Sequence, residues 1–87
     1  MSAPAADRQV EVVIIWRVAS GHVQQTCRYL ESLGFFAADS QDAAAGRPSI
    51  LGYYDSLADA EQHARQITDG LRQLGIEPLS RATVQLD

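Results

Sequence analysis

The sequence predicts an α+β fold on the ferredoxin-like plan, a four-stranded antiparallel sheet with two helices on one face. Three observations carry this expectation. Apolar and β-branched residues crowd Val10 to Val18 and Ser49 to Tyr54 in strand-like runs. Apolar residues recur at steps of three and four over 22–33 and 57–74. Both helical stretches also close with Leu-x-x-Leu-Gly and a bulky apolar residue, "LESLGF" at 30–35 and "LRQLGI" at 71–76. Taken as an internal repeat, this suits two βαβ halves and the order β-α-β-β-α-β. Right-handed crossovers would then set both helices on one side of the sheet.

The first nine residues, MSAPAADRQ, lack an apolar period and read as a loose tail ahead of a single domain over 10–87. In "VEVVIIWRV", Val10, Val12, Ile14, Trp16 and Val18 share one face, while Glu11, Val13, Ile15 and Arg17 share the other. A strand apolar on both sides is expected at the centre of a sheet. After Ala19-Ser20-Gly21, a helix is expected from His22 to Leu33, burying Val23, Cys27, Leu30 and Leu33, with Gly34 as its left-handed cap. Phe35 to Ala38 would form the second strand, Asp39 to Pro48 a loop, and Ser49 to Tyr54 a third, central strand.

Ser56 followed by Asp59 has the form of a capping box, with aspartate in place of glutamate, opening a second helix over 57–74. Its stripe is Leu57, Ala60, Ala64, Ile67, Leu71 and Leu74, and Gly75 closes it. Gly70 interrupts it at a cost of about 1 kcal/mol relative to alanine. On its outer face, Arg65 is spaced to pair with Glu61 and Asp69. Ala82 to Leu86 completes the sheet.

Composition narrows the function. At 87 residues the chain is near the lower limit for a self-sufficient core, a size at which dimerisation supplies missing burial. A net charge of −4 repels phosphate backbones, so no nucleic-acid partner is expected. No apolar run is long enough to span a bilayer, and no basic-then-apolar leader opens the chain, so a cytoplasmic protein with no membrane partner is expected. Cys27 is the only cysteine, which excludes an internal disulfide, and no metal or other cofactor is expected. His22 and His63 are expected as exposed side chains, and no acid–base constellation marks an enzyme.

The candidate binding residues lie on the strands. Val13 and Ile15, rimmed by Glu11 and Arg17, should share the sheet face away from the helices with either Tyr53 or Tyr54, since neighbours on a strand point to opposite sides. An apolar centre with a charged rim is the pattern of a partner surface.

Two family resemblances extend this reading. "VVIIWRVASGHVQQTCRYLESLGF", with Gly21, Val23, Leu30, Gly34 and Phe35 at matching spacing, resembles the opening of an ACT domain. The resemblance implies a homodimeric regulatory module that binds a small metabolite near the first strand–helix turn, at Ser20 and Gly21. "ILGYYDSLADAEQHARQITDGLRQLGIEPL" is similar to the second half of a SPOR domain, which implies peptidoglycan binding. The expected strand order is also that of small dimeric α+β barrel enzymes. The function expected is non-catalytic: a homodimeric module that binds a small metabolite or acts as a protein adaptor.

Overall fold

The structure, a computed structural model, describes residues 9–34 and 46–86. It comprises β1 (Val10–Ile15), a 3-10 turn (Ser20–His22), α1 (Val23–Ser32), β2 (Ser49–Tyr54), α2 (Leu57–Gln73) and β3 (Thr83–Leu86). Among the described residues the sheet has three strands in the order β2-β1-β3, antiparallel at both junctions.

The fold is thus α+β, but the four-stranded ferredoxin-like plan is corrected to a three-stranded sheet with two helices. β1 is central as expected, while among the described residues β2 borders only β1 rather than lying inside the sheet. The strand expected at Phe35–Ala38, most of the loop after it and most of the expected tail lie outside the described residues.

The physical reason lies in the repeat. "LRQLGI" is a Schellman motif: the Ile76 amide donates to the Leu71 carbonyl at 2.9 Å, and the Gly75 amide to the Arg72 carbonyl at 2.9 Å. Leu71 and Ile76 are both fully buried, forming the apolar contact that accompanies this cap. Gly75 supplies the required left-handed turn, with φ 84°, as does Gly34 at the end of α1, with φ 91°. Ile76 does not open a strand, and β3 begins only at Thr83. The repeated signal therefore terminates helices and does not mark two equivalent βαβ halves.

One core joins β1 to both helices. Val12, Ile14, Trp16 and Val18 point into it and meet Leu30 from α1 and Ala60, Ala64, Ile67 and Leu71 from α2. Trp16 is fully buried, and its indole Nε1 donates to Thr68 Oγ1 at 2.9 Å, which donates onward to the Ala64 carbonyl at 2.8 Å. A buried polar group with a partner avoids a desolvation penalty of about 1–3 kcal/mol.

The helix α1 differs from expectation in its buried stripe. Thr26 and Leu30 are buried, Val23 and Cys27 are half-buried, and Leu33 is 43% exposed. Thr26 can enter the core because its hydroxyl donates to the His22 carbonyl at 2.8 Å. A hydropathy pattern gives a threonine no such credit. In α2 the cap is as expected, with Ser56 Oγ accepting from the Asp59 amide at 3.2 Å. Ion pairing in α2 centres on Arg72, which meets Asp69 at 3.6 Å and Glu77 at 3.0 Å, rather than on Arg65.

Candidate functional site: the open face of the sheet

Alternation along β1 sends Val12 and Ile14 into the core, so Glu11, Val13 and Ile15 lie on the opposite face. Register then decides their neighbours. Tyr53 pairs with Glu11, Leu51 with Val13 and Ser49 with Ile15 on one side. Gln85 pairs with Val13 and Thr83 with Ile15 on the other. Val13 and Ile15 are half-buried, while Leu51 is 39% and Tyr53 60% exposed. Tyr53 Oη donates to Glu11 Oε2 at 2.8 Å, which fixes the carboxylate at one end of this apolar group.

The other end is basic. Beyond Ile15 the ladder continues in the same register, with the Trp16 amide donating to the Pro48 carbonyl at 2.9 Å and the Val18 amide to the Gly46 carbonyl at 3.0 Å. These bonds bracket Arg17 beside Arg47, and alternation carries both to the open side, where both are exposed. The face therefore runs from a carboxylate through Val13, Ile15, Leu51 and Tyr53 to two guanidiniums. At the Ile15 level, Ser49 is buried, and its hydroxyl has no hydrogen-bond partner among the described residues.

Tyr54 takes the other side of the sheet. Its ring lies back over Gly52, where a Cβ would come within 2.9 Å of Tyr54 Cε2, so only glycine leaves room for it. Its hydroxyl meets His63 Nδ1 at 2.7 Å, and burial pushes the phenol above its ordinary range. His63 is accordingly half-buried and bonded rather than an exposed side chain as expected.

Of the predicted binding residues, Val13, Ile15, Arg17 and Tyr53 come together on the open face. Tyr54 sits on the helix side, while Ser20 and Gly21 lie in the exposed 3-10 turn beyond the end of β1. Leu51 and Arg47 join the face without having been singled out. The alternation that places Tyr53 also places Leu51, whereas Arg47 enters only through the register.

Elsewhere, a groove of about 600 Å³ lies between α2 and the segment leading into β3. It is lined by Arg65, Arg72 and Arg81 and by Glu61, Asp69 and Glu77, so its charges cancel and steer neither sign of ligand. Burial, aided by the nearby Glu31 carboxylate, raises the Cys27 thiol, which disfavours the nucleophilic thiolate. Among the described residues no group of three or more His, Cys, Asp or Glu could hold a metal ion, and no helix is long and apolar enough to cross a membrane.

No family model, curated protein or solved structure matches the chain. Functional inference therefore rests on the geometry of these residues.

Proposed function

We propose that this chain is a small non-catalytic binding module that works as a homodimer, with the open sheet face as its interface. The observation that carries the reading is the contiguous apolar group of Val13, Ile15, Leu51 and Tyr53 on a face away from the core. An antiparallel sheet with one solvated face ordinarily places polar residues there. Burying such a group against a second copy adds apolar contact to a chain whose own core is small. The face measures roughly 15 by 20 Å, from two strands of 6 residues and one of 4. Two such faces cover on the order of 600 Å² in total, below the standard interface size, so a weak dimer is expected, forming toward the high end of the micromolar range.

Sedimentation velocity across the micromolar range tests this. The parent chain should move from monomer to dimer. Ile15→Asp should stay monomeric while keeping its far-ultraviolet circular dichroism, because a charge in a dry interface is costly. A parent chain still monomeric at high micromolar concentration, or an Ile15→Asp chain that dimerises as well as the parent, would overturn the proposal.

A further inference from the structure

We infer that the two copies pack with their β1 strands antiparallel across the interface, so that Glu11 of each copy meets Arg17 of the other. The inference rests on the homodimer reading and specifies its geometry.

The open face is self-complementary in one orientation only. Along β1 it carries, in order, Glu11, Val13, Ile15 and Arg17. A two-fold axis lying in the interface, perpendicular to β1 at the level of Ile14, reverses this order in the second copy. Glu11 then faces Arg17, and Val13 faces Ile15, twice over, as an isologous interface requires. An axis parallel to β1 would instead set Glu11 against Glu11 and Arg17 against Arg17, with β2 of each copy over β3 of the other. Like charges so juxtaposed disfavour association.

The neighbouring strand agrees. The perpendicular two-fold leaves the strand order unchanged, so β2 faces β2. Tyr53 stands level with Glu11 in the register and Arg47 level with Arg17. The reversal therefore brings Tyr53 opposite Arg47 of the second copy, where a guanidinium can lie against the phenol ring.

The crossing angle is constrained as well. Glu11 and Arg17 each lie about 10 Å along the strand from the axis, taking three residues at about 3.3 Å. At the roughly 30° crossing of aligned sheets, opposed residues are offset by about 5 Å, which the Glu and Arg side chains can span. In an orthogonal packing the offset grows to about 14 Å, and the pairs are lost. The geometry points to an aligned sandwich.

Charge reversal tests the orientation. Glu11→Arg and Arg17→Glu, each alone, should weaken dimerisation by about tenfold or more, because each sets like charges opposite one another twice. Mixing the two variants should restore a dimer near parental affinity as a heterodimer, read by sedimentation or by energy transfer between labelled chains. The doubly reversed chain should dimerise alone. Raising the salt concentration should shrink all of these differences.

Parallel pairing makes a different prediction, namely that either reversal alone leaves the dimer about as strong as the parent's, since like charges already face like, and that the mixture associates more tightly than the parent. That result, or a mixture no more associated than its components, would overturn the antiparallel register while leaving the dimer standing. A monomeric parent would overturn both. If either reversal disturbs folding, Glu11→Gln and Arg17→Gln provide the check: each should weaken the dimer modestly, and their mixture, which regains one Glu11–Arg17 pair per dimer, should recover in part. Dimers unaffected by either neutral substitution would also refute the pairing.

Discussion

Replacing Gly70 by alanine sets two opposed effects against each other, and the structure decides which wins. In an open helix interior the exchange stabilises by about 1 kcal/mol, since glycine has more freedom to lose on folding. Here a Cβ at position 70 would overlap Tyr29 Oη and come within 2.8 Å of Cζ and 3.3 Å of Cε2. Tyr29 is half-buried and packs against the core, so its ring must swing away as a body. Overpacking of this kind costs about 1–3 kcal/mol. The net expectation for Gly70→Ala is a loss of about 1 kcal/mol. In a Tyr29→Ala background the clash is gone, and the same change should gain about 1 kcal/mol. The coupling across this double-mutant cycle is then about 2 kcal/mol. Tyr29→Phe should relieve the clash only in part, because Cζ remains too close. Urea unfolding at low, fixed chain concentration reads these values without a contribution from dimer linkage, provided the slopes stay constant. Equal stabilisation by Gly70→Ala in both backgrounds would refute the α1–α2 contact and the account of why glycine interrupts this helix.

The two adjacent tyrosines should separate cleanly. Tyr54→Ala should cost about 3 kcal/mol of stability, as for other large aromatics lost from a core, whereas Tyr53→Ala should cost less than about 1 kcal/mol and weaken dimerisation; equal stability losses would contradict the two-sided sheet. Burial raises the Tyr54 phenol above its ordinary 10.0, so above that pH the unfolded chain ionises first and stability falls as the pH rises. Tyr54→Phe should flatten this loss, while the part due to Cys27, whose thiol is raised from 9.0, should begin at lower pH and remain. An unchanged slope in urea unfolding across alkaline pH would show that Tyr54 is not the group titrating.

Much of the architecture was legible because the strongest signals were local. Strand β2 matches its expected limits, and α2 begins where Ser56 and Asp59 placed it and ends within a residue of expectation. These signals act over a few residues and need no tertiary information. The sheet plan required more. Leu-x-x-Leu-Gly followed by an apolar residue was read as a mark of duplicated halves, when Leu71, Gly75 and Ile76 show it closing a helix. A motif that describes how one element ends carries no information about how many strands follow. Thr26 and His63 were misplaced for a related reason. Each is polar by composition, yet each is partly or wholly withdrawn from solvent by one specific bond, to the His22 carbonyl and to Tyr54 Oη.

The open face illustrates the division between what a sequence holds and what only a fold assembles. Glu11, Val13, Ile15 and Arg17 follow one another at every second residue, so their common face was visible at once. Which face of "VEVVIIWRV" would be core was a harder matter, because both are apolar in the middle. Trp16 settles it: its indole reaches Thr68 on α2, and the even-numbered residues follow it inward. The basic end could not be completed from β1 alone. Arg47 is thirty positions from Arg17 in sequence, and only the ladder through Pro48 and Gly46 brings the two level. The same register sets Tyr53 beside Glu11 at the far end. A face acidic at one end, basic at the other and apolar between is matched by its own reversed copy. That match is a property of register, and strand propensity alone could not have revealed it.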